Sequence, residues 1–183
     1  MSLSLEDIAF LQSEGAQQTL HHLSGENLSP ATTLKWITTL RKTFTADQAS
    51  ALLTTAQLRQ NAIIKFPENA SRMLFTDDAL QQASDFHIRQ YRASLISGKK
   101  VLDVCCSIGS DAISYAQSGN AVLGLDIDPV RVAIAEHNAL VFGVSATFLE
   151  RDVTVSIPDN YDFVFFAPAR RTDDDKRIFD VND

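Results

Sequence analysis

Residues 99–109 read KKVLDVCCSIG. Val101 to Cys105 make a short apolar run broken only by Asp103, and the run leads into a turn of small residues, Ser107-Ile108-Gly109-Ser110. A helical pattern starts at once with Ala112-Ile113-Ser114-Tyr115-Ala116. Strand, tight turn and helix in that order are the entry unit of a nucleotide-binding α/β sheet. The turn brings backbone close to a ligand, and the helix start aims free N–H groups at it. The alternation repeats downstream. Ala121 to Leu125 is apolar and ends in Asp126, and Asp128-Pro129 then offers a helix N-cap and a first helical residue. Asp126 therefore sits at the tip of a second strand, about 20 residues past the turn, where such sheets place the carboxylate that holds a ribose hydroxyl.

The rest of the C-terminal half continues the pattern. The first helix is expected over residues 111–117. The second is expected over 129–142, with Val132, Ala133, Ala135, Ala139 and Leu140 facing the sheet. A third strand is expected over 146–149 and a fourth over 161–166, the latter almost wholly apolar as a parallel strand should be. Asp103 lies inside a strand, and a buried carboxylate is costly unless it is bonded, so it either serves a ligand or braces the loop. Gly109 permits close backbone approach or a plain turn. Asp152 follows the third strand directly, as an adenine-amine acceptor or a local cap. Asp162 reads as structural. Arg170 and Arg171 fall just past the fourth strand, where ligands enter such sheets, and suit a phosphate contact or an ion pair equally well. Cys105 and Cys106 are adjacent on a strand end, point to opposite faces, and read as reduced packing residues.

The N-terminal half is helical. Ser4 with Asp7, and Thr45 with Gln48, are capping boxes. A helix is expected from Ala16 to Leu23, after Gly15. Ser29-Pro30 reads as another helix start, burying Leu34, Ile37, Leu40 and Trp36. The Thr45 helix is expected to run through Ile63 and Ile64 until Pro67 stops it. Thr76 caps a further piece whose apolar face continues through Phe86, Tyr91, Leu95 and Ile96, closed by Gly98. The boundary falls there, giving a helical domain over 1–97 and an α/β unit over 98–183. The segment Lys65 to Thr76 mixes aromatics with two bases and reads either as a connector packed on the core or as a lid over a ligand. His21 and His22 are neighbours and lack the spacing of a metal pair.

Composition narrows the function. The chain has 183 residues, 45% of them hydrophobic and 21% charged, and a formal charge of −7. Residues 1–97 carry 9 acids and 8 bases, while residues 98–183 carry 14 acids and 8 bases. A basic footprint for nucleic acid is absent, so the main RNA-holding surface is not expected here. There is no apolar run of the ~20 residues that a membrane span needs and no signal-peptide pattern, so a cytoplasmic location is expected.

These strand ends together resemble class I S-adenosylmethionine-dependent methyltransferases. The similarity to trimethylguanosine synthase-like RNA cap methylases lies in VLDVCCSIGSD and LGLDIDPVRVAIAEHNALVFGV. The bacterial members with a C-terminal THUMP-like domain are also similar in KFPENASRMLFT and in APARR. The resemblance implies a Rossmann-like α/β sheet in the order 3-2-1-4, the first part of a longer seven-strand sheet, and hence a fragment. It implies S-adenosylmethionine held by Asp103, Ser107 and Gly109 at the methionine part, Asp126 at the ribose, Ile127 against the adenine ring and Asp152 at its amine. It places Pro168 and Arg170 at the methyl acceptor, no metal, and an RNA base as acceptor, with tRNA or rRNA ahead of a cap. Strand 4 would be an exposed apolar edge through which a dimer could pair.

Three residues depart from the family pattern: Ser107 and Ser110 stand at glycine positions, and Ala167 stands where an acid, amide or hydroxyl usually opens the motif after strand 4. They support an alternative, a binding module that keeps the fold without the transfer. A nicotinamide-dependent oxidoreductase needs G-x-G-x-x-G in the first turn, which SIGSDA does not supply.

Overall fold

A computed structural model describes residues 3–168. Six helices precede the sheet: α1 (Leu5–Leu11), α2 (Glu14–Leu23), α3 (Thr33–Leu40), α4 (Ala46–Ala62), α5 (Asp77–Gln82) and α6 (Phe86–Ser94). Then follow β1 (Lys100–Val104), α7 (Ser110–Gln117), β2 (Ala121–Asp126), α8 (Pro129–Phe142), β3 (Ala146–Glu150) and β4 (Phe163–Phe166). The strands are parallel in the order β3-β2-β1-β4, the expected Rossmann-like arrangement. In register, Asp103 of β1 lies between Gly124 of β2 and Phe165 of β4. Gly124 is required by packing: a Cβ there would come within 2.6 Å of the Phe148 ring.

Local chemistry sets many of the helix ends. Both capping boxes form, Ser4 with Asp7 and Thr45 with Gln48. Thr76 caps α5, and Asp128 caps α8 with Pro129 in its first turn. Other expectations are corrected. Gly15 lies inside α2, which Ser13 caps. Ser29-Pro30 opens a turn whose Ser29 carbonyl takes the Thr32 N–H, so α3 starts three residues later than expected, at Thr33. In α3 it is Trp36 and Leu40 that are buried, while Leu34 is 76% exposed. The α4 helix stops at Ala62, well before Pro67, and Ile63 and Ile64 face outward. Tyr91 on α6 and Leu95 at its C-cap are likewise exposed.

The core explains why the α8 expectation failed in part. Leu140 is 78% exposed, whereas Ile134 and Asn138 are buried. One side of α8 covers the sheet through Val132, Ala135 and Ala139. Another side packs under the helical layer, where Ile134 and Ile108 join Leu11, Leu52 and Leu74 in one apolar cluster. A helix sandwiched between two layers carries two apolar stripes, and a single-face reading picks the wrong edge. The segment from Phe66 to Phe75 packs on this core: Phe66, Ala70, Met73, Leu74 and Phe75 are all buried, so the connector reading of that segment holds.

Candidate cofactor site

The β1–α7 loop is the most strained backbone among the described residues. Cys105, Ser107 and Gly109 all take left-handed φ, at 61°, 53° and 77°. Glycine adopts this region freely, but each side-chain-bearing residue there costs about 1–2 kcal/mol. The glycine-like positions of the loop are therefore Cys105 and Ser107. Ser110 instead occupies the first turn of α7 with ordinary helical backbone, which corrects its assignment as a missing glycine. Cys105 and Cys106 lie in this loop just past β1, both as free thiols, and burial pushes the Cys106 thiol well up.

The loop is pinned from several sides. Cys106 N–H donates to the Leu125 carbonyl at 2.8 Å, and Gly109 N–H to the Cys106 carbonyl at 2.9 Å. Asp126, at the end of β2, takes the Ser107 N–H on one oxygen (2.8 Å) and the Asp128 N–H on the other (3.1 Å). A carboxylate offers about four acceptor positions, so each oxygen keeps one for a ligand hydroxyl. From behind, Asn138 is fully buried. Its amide nitrogen donates to the carbonyls of Ile108 and Leu74, and its oxygen accepts the Leu74 N–H, at 2.9–3.1 Å. Sequence reasoning missed Asn138. The only signal was an amide on a helix face expected to be apolar.

In front of the loop lies a cavity of about 70 Å³. Asp103, Cys105, Ser107 and Ser110 line one side. Asp111 and Phe165 stand beside them, and Ala79, Gln82, Ala83 and Ser84 from α5 and its following turn close the other side. The 79–84 segment thus covers the loop, a role sequence reasoning had offered to residues 65–76. Asp103 is 2% exposed. One of its oxygens accepts the Ala112 N–H, and the other, Oδ2, is buried without a partner. Burial raises its carboxyl well above the usual range, and the nearby Asp111 and Asp126 raise it further. Ser107 Oγ is also buried without a partner. An unpaired carboxylate oxygen and an unpaired hydroxyl on residues lining one cavity fit a ligand carrying a cationic amine and further polar groups.

The remaining expected residues lie outside this cavity. Ile127 is 65% exposed just past β2. Asp152, past β3, accepts from the Thr154 N–H and hydroxyl, which lowers its carboxyl. Pro168 is exposed after β4, next to Ala167, which lines the cavity. Arg170 and Arg171 lie outside the described residues. Asp162 is structural as expected, accepting the Lys100 N–H. Among the described residues no group of three or more His, Cys, Asp or Glu side chains could hold a metal, and no helix is long and apolar enough to cross a membrane.

A parallel 3-2-1-4 sheet with a left-handed loop after β1 and an acid ending β2 defines a Rossmann-like nucleotide-cofactor protein. Residues 98–168 match the family described as RNA cap guanine-N2 methyltransferase, and residues 4–62 match a domain of unknown function. An uncharacterized S-adenosylmethionine-dependent methyltransferase of Mycobacterium tuberculosis is 36% identical over 137 residues, which cover 72% of this chain and 38% of that protein. A ubiquinone biosynthesis O-methyltransferase of Vibrio cholerae is 33% identical over 127 residues, covering 64% of this chain and 52% of its own. The crystal structure of a putative methyltransferase from Porphyromonas gingivalis shares the fold, with a TM-score of 0.70 at 17% identity over 93% of this chain and 43% of that one. The chain belongs to the class I S-adenosylmethionine-dependent methyltransferase family, whose cofactor is S-adenosylmethionine. It spans about two fifths of the length of the M. tuberculosis relative.

Proposed function

We propose that this chain carries the cofactor-binding half of an S-adenosylmethionine-dependent methyltransferase acting on an RNA base, with a helical unit over 1–97 bracing an α/β unit over 98–183. The observation that carries the reading is the unpartnered, buried Oδ2 of Asp103, a residue that lines a cavity beside the β1–α7 loop. Asp103 takes the ammonium of the methionine part, and the loop at Ser107 and Gly109 lies along it. Asp126 accepts the ribose hydroxyls on its remaining lone pairs, Ile127 covers the adenine ring, and Asp152 takes the adenine amine by releasing its local Thr154 contact. When bound, the cofactor supplies an electrophilic methyl group on sulfonium sulfur. The protein contributes position and exclusion of water, which supply most of the rate in such a transfer. We assign Pro168 and Arg170 to the methyl acceptor. An RNA acceptor is supported by the family description over 98–168, and we place it in tRNA or rRNA rather than a cap. The exposed edge of β4 would pair with a second copy.

A second reading, a binding module without transfer, is favoured by Ala167. Its methyl group lines the cavity mouth and offers no acceptor for an exocyclic amine. Calorimetric titration of the purified chain with S-adenosylmethionine, with NAD as control, tests the part common to both readings. Binding of the first alone, weakened by Asp126→Ala, is the expected result. A chain that binds neither overturns the cofactor assignment.

A further inference from the structure

Arg92 of α6 touches three walls of the cavity without lining it. Its Nη1 donates to Asp111 Oδ1 of α7 at 2.8 Å, and its Nη2 donates to the Ser84 hydroxyl at 2.6 Å. Its guanidinium carbon lies 5.1 Å from the centre of the Phe165 ring of β4. Asp111, Ser84 and Phe165 all line the cavity. The charges around Asp103 give this bridge a second consequence. The groups facing Asp103 are Asp111 and Tyr115 from α7, Asp126 from β2, the Cys105 and Cys106 thiols of its own loop and Arg92 from α6. Arg89, the other α6 cation, acts on Asp111. Three carboxylates thus cluster around a small buried space, and Arg92 is the cation in direct contact with one of them. By pairing with Asp111 it decides which carboxylate is left uncompensated.

We propose that Arg92 is the positioning residue of the cofactor pocket: it ties the 79–84 segment to α7 across the cavity and neutralises Asp111, leaving Asp103 as the carboxylate that meets the ligand's ammonium. The inference rests on the cofactor assignment above. Without the guanidinium, Asp111 is a buried charge beside Asp103, and Asp103 holds its proton to higher pH. Arg92 lowers the Asp103 carboxyl and Asp111 raises it, so removing the guanidinium acts on it twice in the same direction. A cationic ligand then meets the neutral acid over a wider range of pH.

The experiment measures S-adenosylmethionine affinity by calorimetry across pH on the whole chain, with melting temperature followed alongside, for wild type, Arg92→Gln and Arg92→Gln with Asp111→Asn. Arg92→Gln is expected to bind about tenfold more weakly near pH 7, with the midpoint of its pH profile moved up by about one unit. Asp111→Asn in that background is expected to move the midpoint back. A purely structural role would lower the melting temperature and the affinity with the midpoint in place and no rescue, and that result overturns the proposal. So does an unchanged affinity and profile in Arg92→Gln. A wild-type chain that binds no S-adenosylmethionine overturns the cofactor assignment itself, an outcome visible before any variant is made.

Discussion

Asp103→Asn should stabilise the unliganded chain while weakening its hold on the cofactor. The carboxylate is 2% exposed, one oxygen has no partner, and Asp111 and Asp126 add like charge. Asparagine keeps the acceptor for the Ala112 N–H and removes the charge. The amide nitrogen that replaces Oδ2 is equally unpartnered, so the relief is that of a charge no longer held against burial and two like charges, about 1–2 kcal/mol above the raised carboxyl value. For a chain of this size that is roughly 2–8 °C in melting temperature. The pH dependence fixes the sign. The folded-state carboxyl is raised, so the folded chain holds a proton that the unfolded chain releases near its ordinary value of about 3.9. The stability this gives is complete below the unfolded value and is lost as pH rises through the folded one. Wild type and Asp103→Asn should therefore melt alike near about pH 4 and diverge toward about pH 8, the variant being the more stable. Differential scanning fluorimetry across that range reads the divergence, and calorimetry with S-adenosylmethionine reads the loss of binding, about tenfold or more if a charged contact is removed. A variant that melts below wild type near pH 8, or a difference independent of pH, would refute the reasoning.

Two further substitutions probe the loop. Ser107→Gly removes a left-handed side-chain-bearing residue and an orphaned hydroxyl together; set against the extra freedom of an unfolded glycine, it should gain about 1 kcal/mol in chemical denaturation, and a loss would show that the serine is better satisfied than its surroundings suggest. Asn138→Ala leaves Leu74 N–H and the carbonyls of Leu74 and Ile108 buried and unpaired, so it should cost about 3 kcal/mol or more. Cofactor affinity should fall with it, measured at a temperature where the variant remains folded.

What the sequence disclosed and what it withheld divide along contact range. The capping boxes at Ser4 and Thr45 and the Asp128-Pro129 start involve residues within three positions of each other, so the chemistry is written locally. The strand order followed from the family pattern of strand ends. The misreadings share a different cause. Leu34 was expected inside together with Trp36 and Leu40, yet it is exposed while those two are buried, in a helix that the turn after Pro30 delays to Thr33. Asn138 was passed over because its partners, Leu74 and Ile108, stand 64 and 30 residues away. The left-handed backbone at Cys105 carries no residue-type signal at all, since cysteine has no preference for that region.

That backbone explains why the helical layer sits where it does. Three of five successive residues in the β1–α7 loop are left-handed, and two of them carry side chains. Such a loop persists only where its surroundings over-determine it. The sheet supplies part of the constraint, through the Leu125 carbonyl and the Asp126 carboxylate. The rest comes from the helical layer. Ile108 is buried in a cluster contributed mainly by α1 to α5, and the Asn138 amide joins its carbonyl to Leu74 of the connector. Arg131 of α8 pairs with Asp78 of α5, and Lys65 donates to the carbonyls of Leu80, Gln81 and Ala83 at the end of that helix. The same contacts that hold the 79–84 segment over the cavity therefore help hold the loop beneath it. Loosening the helical layer should relax the strained loop before it unfolds the sheet. In native-state hydrogen exchange the amides of Ser107 and Gly109 should then open with those of α5, ahead of the amides of β1 and β2. Exchange of the loop together with the strands would mean that the sheet alone fixes its shape.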